Sequence, residues 1–198
     1  MPRIDVPDGQ DPLTYVWTEL APDLTTAAGR YSHAVYEKSR LSIREFEAAR
    51  ITVARINDCA ICTNWRTARD VPSRGLAADA VPEAFYAQVG RAGTAGGGAN
   101  GRGATGDGAN GGGTAGDRTS GDGAEGERID LTERERLAAE FAARYATDHR
   151  RMDADLWDRL HAVYTDDELV DLALCVASWL ALGRFNQVFD IDGACRVS

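Results

Sequence analysis

Apolar positions recur at three- and four-residue intervals along most of the chain, and no useful length of strict alternation interrupts them. From Asp23 to about Ser39, Leu24, Ala27, Tyr31, Ala34 or Val35, and Lys38 trace one helical face. Ser42-Ile43-Arg44-Glu45 has the form of a capping box, in which a hydroxyl and a glutamate satisfy the first free N–H groups of a helix. The helix it opens carries Ile43, Phe46, Ala49 or Arg50, Val53 and Ile56. It ends near Asn57-Asp58, either of which suits the cap of a new helix from about Cys59 through Trp65 to about Asp70. Pro72 and Gly75 then break the chain, and a weaker helical piece spans Ala80 to Val89. Thr132-Glu133-Arg134-Glu135 is a second box, followed by Leu137, Phe141 and Tyr145. A helix over Ala154 to Tyr164 turns Leu156, Leu160 and Val163 inward. Thr165-Asp166-Asp167-Glu168, a third box, opens a long apolar helix to about Leu182. There Gly183 either interrupts the helix or permits close packing, and the pattern continues through Val188. The pattern predicts an all-α bundle of six or more helices in a single domain over residues 1–198.

Two stretches fall outside it. Residues 1–22 are rich in Pro, Asp and Gly. They read as an irregular N-terminal arm with a short apolar anchor at Leu13, Val16, Trp17 and Leu20. Residues 90–127 hold most of the 21 glycines and almost no large apolar side chain. Burial there cannot offset the entropy of ordering, so a disordered Gly-rich insertion is expected. The insertion has no lysine, no Gly-Lys-Ser/Thr ending and no apolar strand leading in, which excludes a phosphate-binding loop. Its aspartates lack the regular period of calcium-binding repeats.

The formal net charge of -9 repels a phosphate backbone, and no basic block compensates, so nucleic-acid binding is excluded as a function class. The start of the chain does not read as a signal peptide. The most apolar stretch, Leu169 to Leu182, is interrupted by Asp171 and too short for a bilayer. A cytoplasmic protein with no membrane partner is expected, its four cysteines initially reduced.

In that setting Cys59-Ala60-Ile61-Cys62 carries the chemistry. Two residues between cysteines on one helical turn bring the sulfurs within bonding reach, and a helix start favours a thiolate. Such a pair serves dithiol–disulfide exchange, forms half of a zinc site, or is simply buried. His33, His149 and His161 are not spaced to complete a zinc set, and no metal or cofactor is expected. Cys175 reads as core, and Cys195 as incidental near the terminus. Glu47 precedes Cys59 by one helix and is the candidate proton acceptor; the plainer roles are a solvated helix residue or a partner for an arginine. Arg66, four residues after Cys62, would share its helical face and stabilise a thiolate or an anionic substrate.

Glu47, Arg50-Ile51, Ala54 and the Cys59–Cys62 motif together resemble the carboxymuconolactone decarboxylase-like superfamily, and more closely its alkylhydroperoxidase D-like branch. Leu131 to Glu135, Asp166 to Leu172 and Gly183-Arg184-Phe185-Asn186 extend the resemblance over roughly residues 24–89 and 129–189. The resemblance implies an all-α fold around the CxxC helix and a homo-oligomer. It also implies a cysteine pair that reduces a small hydroperoxide or disulfide and is reset by a lipoyl or thioredoxin-like dithiol donor. Cys59, Cys62 and Glu47 match the family's relay, whereas its histidine is replaced by Arg66. The expected activity is that of a peroxidase or disulfide reductase. The alternatives are a non-catalytic oligomeric helical scaffold or redox-responsive binding protein, and a different small-molecule reaction with Glu47 as base.

Overall fold

The computed structural model describes residues 2–95 and 129–191. Among them the chain is all helix, with no strand. The elements are α1 (Pro12–Glu19), α2 (Pro22–Lys38), α3 (Ile43–Ile56), α4 (Ala60–Asn64), α5 (Thr67–Asp70), α6 (Glu83–Ala95), α7 (Glu133–Asp148), α8 (Ala154–Val163) and α9 (Asp166–Val188). Short 3-10 turns cover Pro72–Arg74 and His149–Arg151.

Helix α3 is the axis of the bundle. It packs most extensively on α7 and also on α9 and α6, so it is buried almost all round. Phe46, Ala48, Ala49, Ile51, Val53 and Ala54 fill its surroundings together with Phe85, Leu137, Phe141, Leu156, Leu160 and Leu172. Small residues at 48, 49 and 54 let neighbouring helices approach, while Phe46 stands edge-on to Trp179 at 4.8 Å.

All three capping boxes form, at Ser42/Glu45, Thr132/Glu135 and Thr165/Glu168. Their glutamates are then used twice. Arg134, beside the second box, pairs with Glu45 of the first (2.6 Å) and Glu168 of the third (2.7 Å). Arg44, beside the first, donates to Glu135 of the second (3.1 Å). The stretches Leu41-Ser42-Ile43-Arg44-Glu45 and Leu131-Thr132-Glu133-Arg134-Glu135 repeat one pattern, and each arginine reaches the other copy's glutamate. The starts of α3, α7 and α9 are thereby tied together.

Arg134 holds the Glu168 carboxyl below its ordinary value of 4.5. Burial would raise Glu140, but Arg159 and Arg144 outweigh it and leave that carboxyl lowered too. A carboxyl depressed in the folded state contributes stability that is present above its unfolded pKa and lost as pH falls through its folded one. Urea midpoints are therefore expected to fall as pH drops below about 4.5, and the fall should be shallower in Glu140→Gln. Equal pH profiles for the two proteins would remove Glu140 from the acid response.

Three expectations change. The N-terminal arm contains a helix, α1. Asp11 caps it by accepting from Thr14 N–H at 2.8 Å, Pro12 opens it, and Val16 is buried. The single helix expected over 59–70 is two short ones, because Trp65 and Arg66 are extended (Arg66 φ -131°, ψ 108°). The weak helix expected over 80–89 runs from Glu83 to Ala95, so residues 90–95 of the Gly-rich stretch close a helix. The rest of that stretch, 96–127, and Cys195 lie outside the described residues. Gly183 does not interrupt α9: an added Cβ would meet Asn57 Nδ2 at 2.6 Å, so its role is close packing.

Candidate functional site

The end of α3 delivers the cysteine pair. Asn57 closes the helix, and Asp58 turns the chain through the left-handed region (φ 48°), a conformation that aspartate tolerates better than most residues. Neither caps α4. Cys59 does so itself, its sulfur accepting the Cys62 N–H at 3.2 Å. Asn57 instead faces inward. It donates to the Trp179 carbonyl (3.2 Å) and accepts from Arg184 Nε (3.3 Å), binding the end of α3 to α9.

Cys59 and Cys62 are joined in a disulfide, with their Cα atoms 5.3 Å apart. The two sulfurs have different surroundings. Cys59 is only 4% exposed. Cys62 is half-buried and lines a cavity of about 130 Å³, with Tyr36, Arg50, Asn57, Ser178 and Trp179 among its other walls. A larger cleft of about 560 Å³ lies against it, sharing Ser32, Tyr36, Leu182 and Asn186, and extends past Trp65 to His33.

Beneath the pair is a buried ion pair. Glu47 is 0% exposed and Arg50 2%. Arg50 donates to both Glu47 oxygens, from Nε at 2.9 Å and from Nη2 at 2.7 Å. On its other side Arg50 donates to the carbonyls of Cys62 (2.5 Å) and Trp65 (2.7 Å). Glu47 also accepts from the Thr67 N–H (3.3 Å) and from the Thr67 hydroxyl. One guanidinium thus satisfies carbonyls left free where α4 stops, and Glu47 anchors the start of α5. The arrangement neutralises two buried charges and fixes the end of α4 and the start of α5. Glu47 is therefore engaged with Arg50 and Thr67, the arginine-partner role rather than that of an unengaged base.

Arg66 does not share a face with Cys62. The extended backbone at Trp65 and Arg66 sends its guanidinium to Glu83, with two contacts of 2.7 Å, and over the Tyr86 ring at 3.9 Å. His33 reaches only the outer cleft, where it sits 3.1 Å from Glu37. Burial first, then the charge of Glu47, pushes the Tyr86 phenol well above its ordinary value. Burial likewise pushes Tyr36 up to about 12, so its phenol stays protonated at neutral pH. Cys175 is a buried thiol that donates to Asp171 at 3.3 Å, and burial pushes it up to about 12.

Compared with protein-family models, curated proteins and solved structures, the chain matches none. The case for its chemistry rests on the site itself. Among the described residues no group of three or more His, Cys, Asp and Glu side chains is placed to hold a metal ion. Among the same residues no helix is long and apolar enough to cross a membrane.

Sequence reasoning named Cys59, Cys62 and Glu47, which the structure brings to one place, and Arg66, which it turns away. It left Tyr36, Thr67 and Ser178 unnamed, read Asn57 only as a candidate cap, and took Arg50 only as an inward position and a part of the family motif. The signal for Arg50 was present: Glu47 and Arg50 stand three apart on a face that is otherwise apolar, the spacing of a buried pair. Tyr36 and Ser178 lie on other helices, and no local spacing marks them.

Proposed function

We propose that the chain is a thiol-dependent oxidoreductase of the alkylhydroperoxidase D-like type, in which Cys62 attacks substrate and Cys59 resolves the intermediate. The observation that carries this reading is the asymmetry of the pair: Cys62 borders a cavity that adjoins an open cleft, whereas Cys59 is enclosed.

In the reduced protein the Cys62 thiolate attacks the terminal oxygen of a hydroperoxide. The O–O bond breaks, the sulfur becomes a sulfenic acid, and the departing alkoxide takes a proton to leave as an alcohol. The Cys59 sulfur then attacks the sulfenic sulfur, the S–O bond breaks and water leaves, giving the Cys59–Cys62 disulfide. Two thiols have lost two electrons, and the peroxide has gained them. A lipoyl or thioredoxin-like dithiol returns the electrons by exchange through a mixed disulfide. A disulfide substrate would enter by that same exchange.

Tyr36 borders the cavity as a protonated phenol and is suited to donate to the departing alkoxide. Glu47 and Arg50 are positioning residues: they hold the Cys62 and Trp65 carbonyls and hence the orientation of α4. Arg66 acts further out by bracing the chain after α4 against α6 through Glu83.

The test is a single turnover. Fully reduced protein, freed of reductant, is mixed with tert-butyl hydroperoxide, and peroxide and thiols are counted together. One peroxide should vanish for each pair of thiols lost, with the Cys59–Cys62 peptide recovered as a disulfide. A pair that reacts no faster than free cysteine, or that resists reduction by dithiothreitol, would instead make the disulfide a structural staple of a scaffold.

A further inference from the structure

A third cavity adjoins the two already described. It has a volume of about 270 Å³ and lies between α1, the start of α2 and the end of α9. Val16, Trp17, Leu20, Leu24, Leu182 and Phe185 wall it, all of them apolar in body. Trp17 turns its N–H away to Asn186 Oδ1 (3.0 Å) and sets its ring edge-on to Phe185 at 5.6 Å. The aromatic wall is therefore held in place by its own polar handle. Leu24 at the cavity is 74% exposed, an unusual position for a large apolar side chain with no neighbour covering it.

The three spaces are continuous in their walls. Trp17 and Leu182 border both the apolar cavity and the outer cleft, and Leu182 and Asn186 border both the cleft and the Cys62 cavity. Their chemistry differs along that line. At the inner end stands Ser178, 1% exposed with a hydroxyl that has no hydrogen-bond partner. A buried donor left unpaired is costly, and a ligand oxygen would satisfy it. At the outer end there is only hydrocarbon surface, and apolar cavities of about 150 Å³ already hold a small aromatic molecule. Polar groups at one end of a largely apolar space are the usual form of a small-molecule site.

From this we infer that the substrate of Cys62 is amphipathic: a hydroperoxide whose oxygens meet Ser178 and Cys62, and whose hydrocarbon tail lies in the pocket between α1 and α9. The inference rests on the redox reading above, and the chemical step is the same, an alkyl hydroperoxide leaving as its alcohol. The added content is a tail-binding subsite that selects for chain length.

The test separates the two. Calorimetric titration of 1-octanol into the oxidised protein reads the subsite without any turnover, and kcat/KM for n-octyl and tert-butyl hydroperoxides reads its use. Two variants change the pocket: Leu24→Asp alters an exposed position, and Ala28→Phe fills the space from α2. Wild type should bind octanol saturably and prefer the octyl substrate by about tenfold or more. Both variants should lose octanol binding and that preference, while tert-butyl hydroperoxide is consumed at the wild-type rate. Thermal unfolding of Leu24→Asp checks that the fold is kept. Failure of wild type to bind octanol, together with equal use of the two hydroperoxides, would overturn the tail subsite and leave the redox reading standing. Octanol binding without consumption of either hydroperoxide would uphold the subsite and overturn the redox reading.

Discussion

Arg50→Met is expected to cost about 3–5 kcal/mol of folding stability, measured by urea denaturation. The substitution removes the cation that, among the described residues, is bonded to a carboxylate 0% exposed. Thr67 would remain as a donor to Glu47, but a hydroxyl and one N–H do not neutralise a buried charge. The carbonyls of Cys62 and Trp65 would lose their donor in the same step. The double variant Glu47→Leu, Arg50→Met separates these effects. With both charges gone the desolvation cost disappears, so stability should recover substantially. Reactivity of Cys62 should not recover, because nothing replaces the guanidinium that holds α4. A loss of under about 1 kcal/mol in Arg50→Met would mean that the pair is reached by water and that the clamp is weaker than its geometry indicates.

Serine replacements of the two cysteines are expected to differ in kind. Cys62→Ser should lower hydroperoxide turnover by about a thousandfold or more, since the nucleophile itself is lost. Cys59→Ser should also stop turnover, but only after each chain has consumed a single peroxide. The sulfenic acid formed on Cys62 would then persist, to be captured by dimedone and located by peptide mass. In the wild-type reduced protein, Cys62 should alkylate faster than Cys59, following their burial. Capture of the sulfenic acid on Cys59 in Cys62→Ser, with none on Cys62 in Cys59→Ser, would reverse the roles and close the cavity as the route of entry. The free thiol Cys175 does not confuse this readout, because burial pushes it up to about 12 and its proton is held by Asp171.

The two experiments also divide the labour of the site. The first addresses what holds α4 in place, and the second what α4 presents. A helix of five residues has little stability of its own. Its position is set from below by Arg50, while Asn57, whose amide occupies the space left by the missing side chain of Gly183, ties the end of α3 just before it to α9.

What the sequence alone determined is what depends on neighbours in the chain. The three capping boxes, the faces of α2, α3, α7 and α9, and the turn-length separation of Cys59 and Cys62 are local patterns, and local hydrogen bonding and side-chain spacing realise them. Helix α1 was hidden in a stretch rich in Pro and Asp. Eight residues are too few to sustain a helix alone, and it stands because Val16 is buried and Trp17 meets Phe185 and Asn186 near the end of α9. The tertiary structure alone decided where the helix after Cys59 breaks and where its arginine points. Arg66 lies four residues after Cys62, yet Arg50 from below and Glu83 from α6 compete for that stretch of backbone and side chain, and they win over helix continuation. It also decided that Tyr36, Ser178 and Cys62 share one cavity. They come from α2, α9 and α4, and only the packing of whole helix faces, which no spacing along the chain encodes, brings them together.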